Sequence, residues 1–297
     1  MKGISTPKIM KKSQKIVFFG NEKLATGING VEPVILNSLR RAGYVIEQVV
    51  VGPINELQPH ESRLAVLAAY GHIIPQSVLD QFPLGIINIH PSLLPKYRGS
   101  VPIEQAILDG ETKTGVSIMQ LSFKMDEGPL YAQRTVQLSG KETKGELTAK
   151  LHELGAEMLI EVLPAIFSGD LQPRQQPHPD RATYTRRLTK QDGSIEWNKS
   201  AEEIVREIRA YSGWPKSSCT LFGIDMSILE AGVSDGWGSS VGTVSVDLGT
   251  KKIRIQCNQS SLEIITLQPA GKKPMDVVAF LNGYKSTVLS SEGTEIY

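Results

Sequence analysis

Cysteine is nearly absent. The 297 residues hold two, Cys219 and Cys257, far apart and outside any C-x-x-C or His-rich context. That excludes a disulfide-stapled fold and argues against a zinc site, so no metal is expected and both cysteines read as buried small apolar residues. Excess charge is lacking too. The formal net charge is +1, so nothing attracts the whole chain to nucleic acid and any RNA contact needs a local patch. No apolar run approaches membrane-spanning length. Residues 1–14 are polar and basic, without the apolar centre of a signal peptide. The expectation is a cytoplasmic monomer that meets no membrane and begins with a disordered tail. Internal repeats are absent, no G-x-G-x-x-G follows the first apolar run, and no Ser/His or Cys/His nucleophile signature occurs.

What is present is a chain long enough for two ordinary domains. Lys15–Gly20 reads as a strand, Val34–Ala42 as a helix and Val45–Gly52 as a second strand, a β-α-β start to a parallel sheet. Only Pro53–Ser62 then precedes a third buried run, Arg63–Gly71. Crossovers between parallel strands usually take a dozen or more residues and a helix. A short helix is expected over Gln76–Gln81, a helix over Pro102–Leu108, and strands over Thr114–Leu121 and Leu130–Val136. Thr143 and Glu146 have capping-box spacing ahead of a long helix ending at Gly169. Residues 171–182 hold three prolines and read as a linker. The expected domains are thus 15–170 and 183–297. In the second, Ser200 and Glu203 form another capping box. Five short alternating segments between Cys219 and Leu267, separated by glycines, suggest a small barrel of the OB type.

The chemistry-bearing stretch is Asn88-Ile89-His90-Pro91. Ile86, Ile87 and Ile89 suit a packed strand. Side chains alternate, so Asn88 and His90 share one face. Pro91, with no N–H to donate, stops the ladder. An amide and an imidazole thus meet at the carboxyl end of a strand, where open α/β sheets hold their ligands. Asp126-Glu127-Gly128 alone is an ordinary acidic turn. Between Arg181 and Lys216, eight Lys/Arg (181, 186, 187, 190, 199, 206, 209, 216) face five Asp/Glu (192, 196, 202, 203, 207), a local +3.

Asn88 to Pro95, followed by Tyr97-Arg98-Gly99 and Met125-Asp126-Glu127-Gly128, resembles the formyltransferase family that uses 10-formyltetrahydrofolate. The resemblance runs from about Ile16 to Phe280. It implies an α/β fold: an N-terminal open, mostly parallel Rossmann-like sheet with helices on both faces, then the small C-terminal β-barrel. In that family Pro53–Ser62 corresponds to a region several times longer, with a loop that touches tRNA; here it is either trimmed or missing from the sequence. The resemblance further implies acyl transfer in which Asn88 donates to the oxyanion, His90 does the same when protonated, and Asp126 keeps His90 charged and relays the proton. Tyr70, Gly71, His72 and Ile73 match the loop that cradles the pterin ring of the folate. Ser92, Leu93, Leu94 and Pro95 match the folate pocket wall, with Leu94–Pro95 cis. The run Tyr184–Trp197, Ile208–Ala210 with Trp214-Pro215, and Gly271–Met275 are similar to the C-terminal domain of members whose acceptor is initiator methionyl-tRNA. Arg186, Arg187, Lys190 and Arg209 are then the expected tRNA-binding residues. The alternative acceptor is an amino-sugar nucleotide, because those members carry a similar Asp192-Gly193-x-Ile195-x-Trp197 region. A non-catalytic RNA- or folate-binding relic has only the short Pro53–Ser62 connection in its favour.

Overall fold

A computed structural model describes residues 14–20, 34–238, 240–291 and 294–296, so the expected N-terminal tail, Gln14 apart, lies outside the described residues. The elements of the first half are β1 (Lys15–Gly20), α1 (Val34–Arg41), β2 (Val45–Val50), β3 (Leu64–Ala68), α2 (Gln76–Leu79), β4 (Ile86–His90) and β5 (Arg98–Gly99). After them come α3 (Pro102–Leu108), β6 (Lys113–Gln120), β7 (Leu130–Gln137) and α4 (Lys144–Ser168). The second half holds β8 (Tyr184–Thr185), α5 (Ala201–Ala210), β9 (Ser217–Leu221), β10 (Ile224–Ser234), β11 (Val244–Asp247), β12 (Lys252–Gln256), β13 (Ser261–Pro269), β14 (Met275–Asp276), α6 (Val277–Gly283), α7 (Lys285–Leu289) and β15 (Thr294–Ile296). Two compact units result: the described residues up to Ser100 with Thr114–Val136 and Ala149–Tyr184, and Val101–Lys113 with Gln137–Thr148 and the chain from Thr185 onward.

The first unit is built on a six-stranded sheet in the order β2-β1-β3-β4-β6-β7. β1 pairs parallel with β2 and β3, β3 parallel with β4, and β4 antiparallel with β6. The interior parallel strands β1 and β3 are nearly continuous apolar runs because both of their faces are covered, whereas the edge strand β2 is partly exposed. Val17, Phe19, Ala65, Tyr70, Val78, Phe82 and Ile86 form one core cluster. The connection from β2 to β3 passes β1 with no helix, since residues 51–63 are irregular throughout. Three contacts replace a crossover helix. Leu57 is buried in the core, Gln48 Nε2 donates to Gln58 O at 2.7 Å, and Glu47 accepts from Ser62 Oγ at 2.5 Å.

The expected linker is not a tether. Leu130 and Arg174 exchange backbone hydrogen bonds, Pro179–Arg181 form a 3-10 turn, and Gln176 is buried. The capping box predicted ahead of the long helix is present: Thr143 N donates to Glu146 Oε2 at 2.9 Å, and Glu146 N to Thr143 Oγ1 at 3.4 Å. Pro164 lies inside α4.

The second unit contains a sheet in the order β15-β11-β12-β13-β10-β9, with β14 on β13. Among the described residues it is antiparallel except for the β11–β15 pair, and the pairing path is open. Its core gathers Ile204 and Ile208 of α5 with Ile228, Ile253, Ile255, Leu262, Ile264 and Phe280. Helix α3 packs on α5 in the same unit, where Arg206 Nε donates to Leu108 O at 2.9 Å. The Ser200/Glu203 capping box opens α5 as the spacing predicted. Cys257 is fully buried and Cys219 partly so; burial pushes their thiols up to about 11 and about 12.

Candidate active site

β4 delivers the site. All five of its residues are buried, and its register sets Asn88 opposite Met119 and His90 opposite Ser117 on β6. Ile89 points to the other face, where a Cβ on Gly155 of α4 would lie 2.6 Å from its Cγ2; glycine lets that helix pack closely there. Asn88 and His90 therefore share the face away from α4. Both are nearly inaccessible, 6% and 4% exposed, so each needs partners to offset the cost of desolvation.

The partner they share is Asp126, on the turn after β6. Asn88 Nδ2 donates to Asp126 Oδ1 at 3.4 Å, and His90 Nδ1 lies 3.7 Å from Oδ2. Oδ2 also accepts the Gly99 N–H at 2.8 Å. His90 Nε2 is 2.9 Å from Tyr97 O. A carbonyl only accepts, so Nε2 carries the hydrogen of that bond. Nδ1 is then the nitrogen that can gain or lose a proton, and it faces a carboxylate. The turn is tightly set. Asp126 adopts a left-handed φ of +50°, which Asp tolerates better than most residues. At Gly128 a Cβ would collide with Gln120 O, so no side chain fits.

The loop after His90 is fixed from below. Ser117 Oγ, fully buried, donates to Ser92 O at 2.6 Å and accepts the Leu94 N–H at 3.1 Å. Gln133 Nε2 donates to Leu94 O at 2.9 Å. Ser92 and Leu94 are buried, Leu93 and Pro95 are partly exposed, and the Leu94–Pro95 bond is cis, as the resemblance implied; Trp214–Pro215 is cis as well.

The loop after β3 sits beside this edge, since Leu67 pairs with Asn88. The Tyr70 ring belongs to the core, and its hydroxyl donates to Gly52 O at 2.5 Å; burial pushes that hydroxyl's pKa up. Tyr70 thus anchors the loop, whereas Gly71, His72 and Ile73 are exposed. Gly71 has φ +73° with open space where a Cβ would point.

The four basic residues fare differently from the trio. The Arg186 guanidinium makes a two-pronged ion pair with Asp192, whose carboxyl it holds well below the usual carboxylate range. Arg209 Nη1 donates to Glu142 O at 2.8 Å, and burial lowers its pKa. Arg187 and Lys190 are exposed. Sequence reasoning missed Gln176, which lies in a proline-rich run that carries no signal of burial. It also left Arg98 without a task, although Arg98 stands inside the quoted motif; the structure buries it to 4% exposure against Gln176, Tyr184 and Glu127.

A mostly parallel sheet with a polar trio at the carboxyl end of a central strand, followed by a largely antiparallel unit, defines a two-unit α/β transferase. The chain belongs to the formyl transferase family: the family's own pattern matches residues 28–163, and that of the formyl transferase C-terminal domain matches 187–285. A methionyl-tRNA formyltransferase of Chloroflexus aurantiacus is 43% identical over 238 residues, 80% of this chain and 76% of that protein. Among solved structures, the methionyl-tRNA formyltransferase of Clostridium thermocellum superposes with a TM-score of 0.57 at 16% identity, covering 85% of this chain and 99% of the other. HypX of Aquifex aeolicus, solved with tetrahydrofolic acid, superposes with a TM-score of 0.66 at 16% identity, covering 96% of this chain and 49% of HypX. The two structural likenesses speak for the fold alone.

Proposed function

We propose that the chain transfers the formyl group of 10-formyltetrahydrofolate to the amino group of initiator methionyl-tRNA. The observation that carries the reading is the meeting of Asn88, His90 and Asp126 at one sheet edge, in a chain 43% identical to a methionyl-tRNA formyltransferase. The donor set fits a formyl donor, because a buried amide N–H and an imidazole stand on β4, and its neighbour β3 runs into the loop with open backbone at Gly71. Asn88 has a second amide hydrogen beyond the one directed at Asp126, and this one donates to the formyl oxygen as negative charge develops there. His90, held by Tyr97 O at Nε2, presents Nδ1 to the Asp126 carboxylate and holds it in place for proton transfer. Asp126 accepts the proton leaving the attacking amine, directly or through water, and passes it toward the departing nitrogen. Gly71 to Ile73 and Ser92 to Pro95 border the folate, with Tyr70 anchoring the first of these loops from the core.

Residues 15–170 supply this chemistry, 171–182 join the halves, and 183–297 meet the tRNA. Arg187 and Lys190 bind phosphate directly, Arg186 does so from its ion pair, and Arg209 orders the surface beside them. The protein works as a cytoplasmic monomer; among the described residues no helix is long and apolar enough to cross a membrane. Turnover of 10-formyltetrahydrofolate with charged initiator tRNA, set against turnover with amino-sugar nucleotides, tests the reading. Formylation of the sugar and not of the tRNA overturns it.

A further inference from the structure

The roles assigned to Asn88, His90 and Asp126 leave a buried network behind Asp126 with no stated task. Gln176 is its centre, only 6% exposed although it stands between Pro173 and Pro177. Its amide is fully used. The two hydrogens of Nε2 donate to Asp126 O at 2.6 Å and Gly128 O at 2.9 Å. Oε1 accepts from Arg98 Nε at 3.2 Å and Nη2 at 2.8 Å. A guanidinium on one side and two carbonyls on the other permit one orientation of that amide, since flipping it would set donors against donors and acceptors against acceptors. Arg98 in turn holds Glu127 at 3.2 Å and the Tyr184 hydroxyl at 2.8 Å, and that hydroxyl reaches Glu127 at 3.0 Å. Next to Arg98, Gly99 N–H binds the Asp126 carboxylate.

We propose that Gln176 is a positioning residue that fixes the Asp126 carboxylate against His90 and Asn88. It ties together the two segments, Tyr97–Gly99 and Asp126–Gly128, that hold the carboxylate from either side. Asp126 sits in a left-handed conformation that a non-glycine residue keeps only when its surroundings over-determine it. The hydrogen bond from Gln176 falls on the carbonyl of that very residue. The proposal rests on the assignment of Asp126 to catalysis.

Two substitutions separate clamping from folding. Gln176→Glu keeps an acceptor for Arg98 but has no hydrogen for Asp126 O or Gly128 O, whereas Gln176→Leu removes both functions. Misplacement on this scale should lower kcat roughly 10- to 100-fold in Gln176→Glu while leaving the KM for 10-formyltetrahydrofolate unchanged. Amide exchange supplies a readout independent of activity. The Gly99 amide should lose protection in Gln176→Glu while the amides of Ile89 and Ile118 keep theirs. In an Asp126→Asn background, adding Gln176→Glu should cost nothing further in turnover, because residues acting through one group are not additive. Wild-type kcat, an unaltered Gly99 amide, or rate losses that multiply in the double variant would each overturn the proposal. Wild-type turnover in Asp126→Asn alone would instead sink the catalytic assignment of Asp126, and Gly99 exchange in Gln176→Glu would still decide the clamp.

Discussion

The sheet edge proposed for catalysis and the basic segment from Arg181 to Lys216 are both visible in the sequence, and folding treats them in opposite ways. At the edge, residues apart in sequence converge: Asn88 and His90 come from one strand, Asp126 from a turn after another. In the basic segment the charges disperse into private contacts. Arg186 pairs with Asp192, Lys199 with Glu207 at 2.6 Å, and Lys216 donates to Gln268 at 2.8 Å. Arg206 and Arg209 donate to the carbonyls of Leu108 and Glu142. Of the eight cations, Arg181, Arg187 and Lys190 keep exposed side chains with no partner among the described residues. A charge count therefore gives an upper bound on the cations available to a ligand, whereas a pattern of types on a strand edge survives folding because the backbone itself sets it.

The comparison breaks most easily at Asn88. If the edge works by donation to an oxyanion, Asn88→Ala should lower kcat roughly 100- to 1000-fold with little change in binding of the formyl donor. Steady-state kinetics on the purified variant measure both, and turnover close to wild type would leave Asn88 a merely structural amide.

A smaller effect tests the basic segment. Arg187→Ala with Lys190→Ala should weaken charged tRNA roughly tenfold and flatten the log–log salt dependence of binding by about two units, one for each phosphate no longer neutralised. Arg186→Ala alone should change that slope much less, because Asp192 already neutralises it. Equal slopes in all three proteins would put RNA recognition elsewhere.

The smallest effect belongs to Asp192. Its carboxyl is held low by Arg186 first, then by the Thr189 N–H and hydroxyl that close a capping box. A carboxylate with a depressed folded pKa contributes stability that is present above its ordinary pKa of 3.8 and is lost as pH falls below that value. Asp192→Asn should therefore lower Tm by about 2–4 °C at pH 7, the effect of removing about one cap, and the gap should shrink below about pH 4. Thermal melts of both proteins at the two pH values check this. A gap that persists in acid would assign the effect to shape instead of charge.

Much of the edge is legible in the sequence. The β-branched run at Ile86, Ile87 and Ile89, the alternation that pairs Asn88 with His90, and the stop at Pro91 all follow from strand geometry. The capping boxes at Thr143/Glu146 and Ser200/Glu203 are legible because each is a contact between residues three apart. The missing crossover helix is also visible, in the shortness of Pro53–Ser62. How the chain manages without it is not, because Leu57 gains its place only by joining the core with Val17, Phe19 and Ala65. Tyr70 reads as part of a ligand cradle and lies in the core, its hydroxyl spent on Gly52. The short segments from Cys219 to Leu267 are legible as strands, but the order β15-β11-β12-β13-β10-β9 is not.

By itself the sequence determined what is local or carried by types at fixed spacing: the strand ends, the helix starts, the motif that marks the family, and the amide and imidazole on one face. Tertiary structure alone decided which polar groups are consumed. Arg98 and Gln176 are 78 positions apart, and nothing in the composition around either one announces the other. Their bond exists because burial removes water from both and leaves each as the partner the other needs. The same cost of desolvation ties the half-buried Arg206 and Arg209 to backbone carbonyls of the protein's own chain.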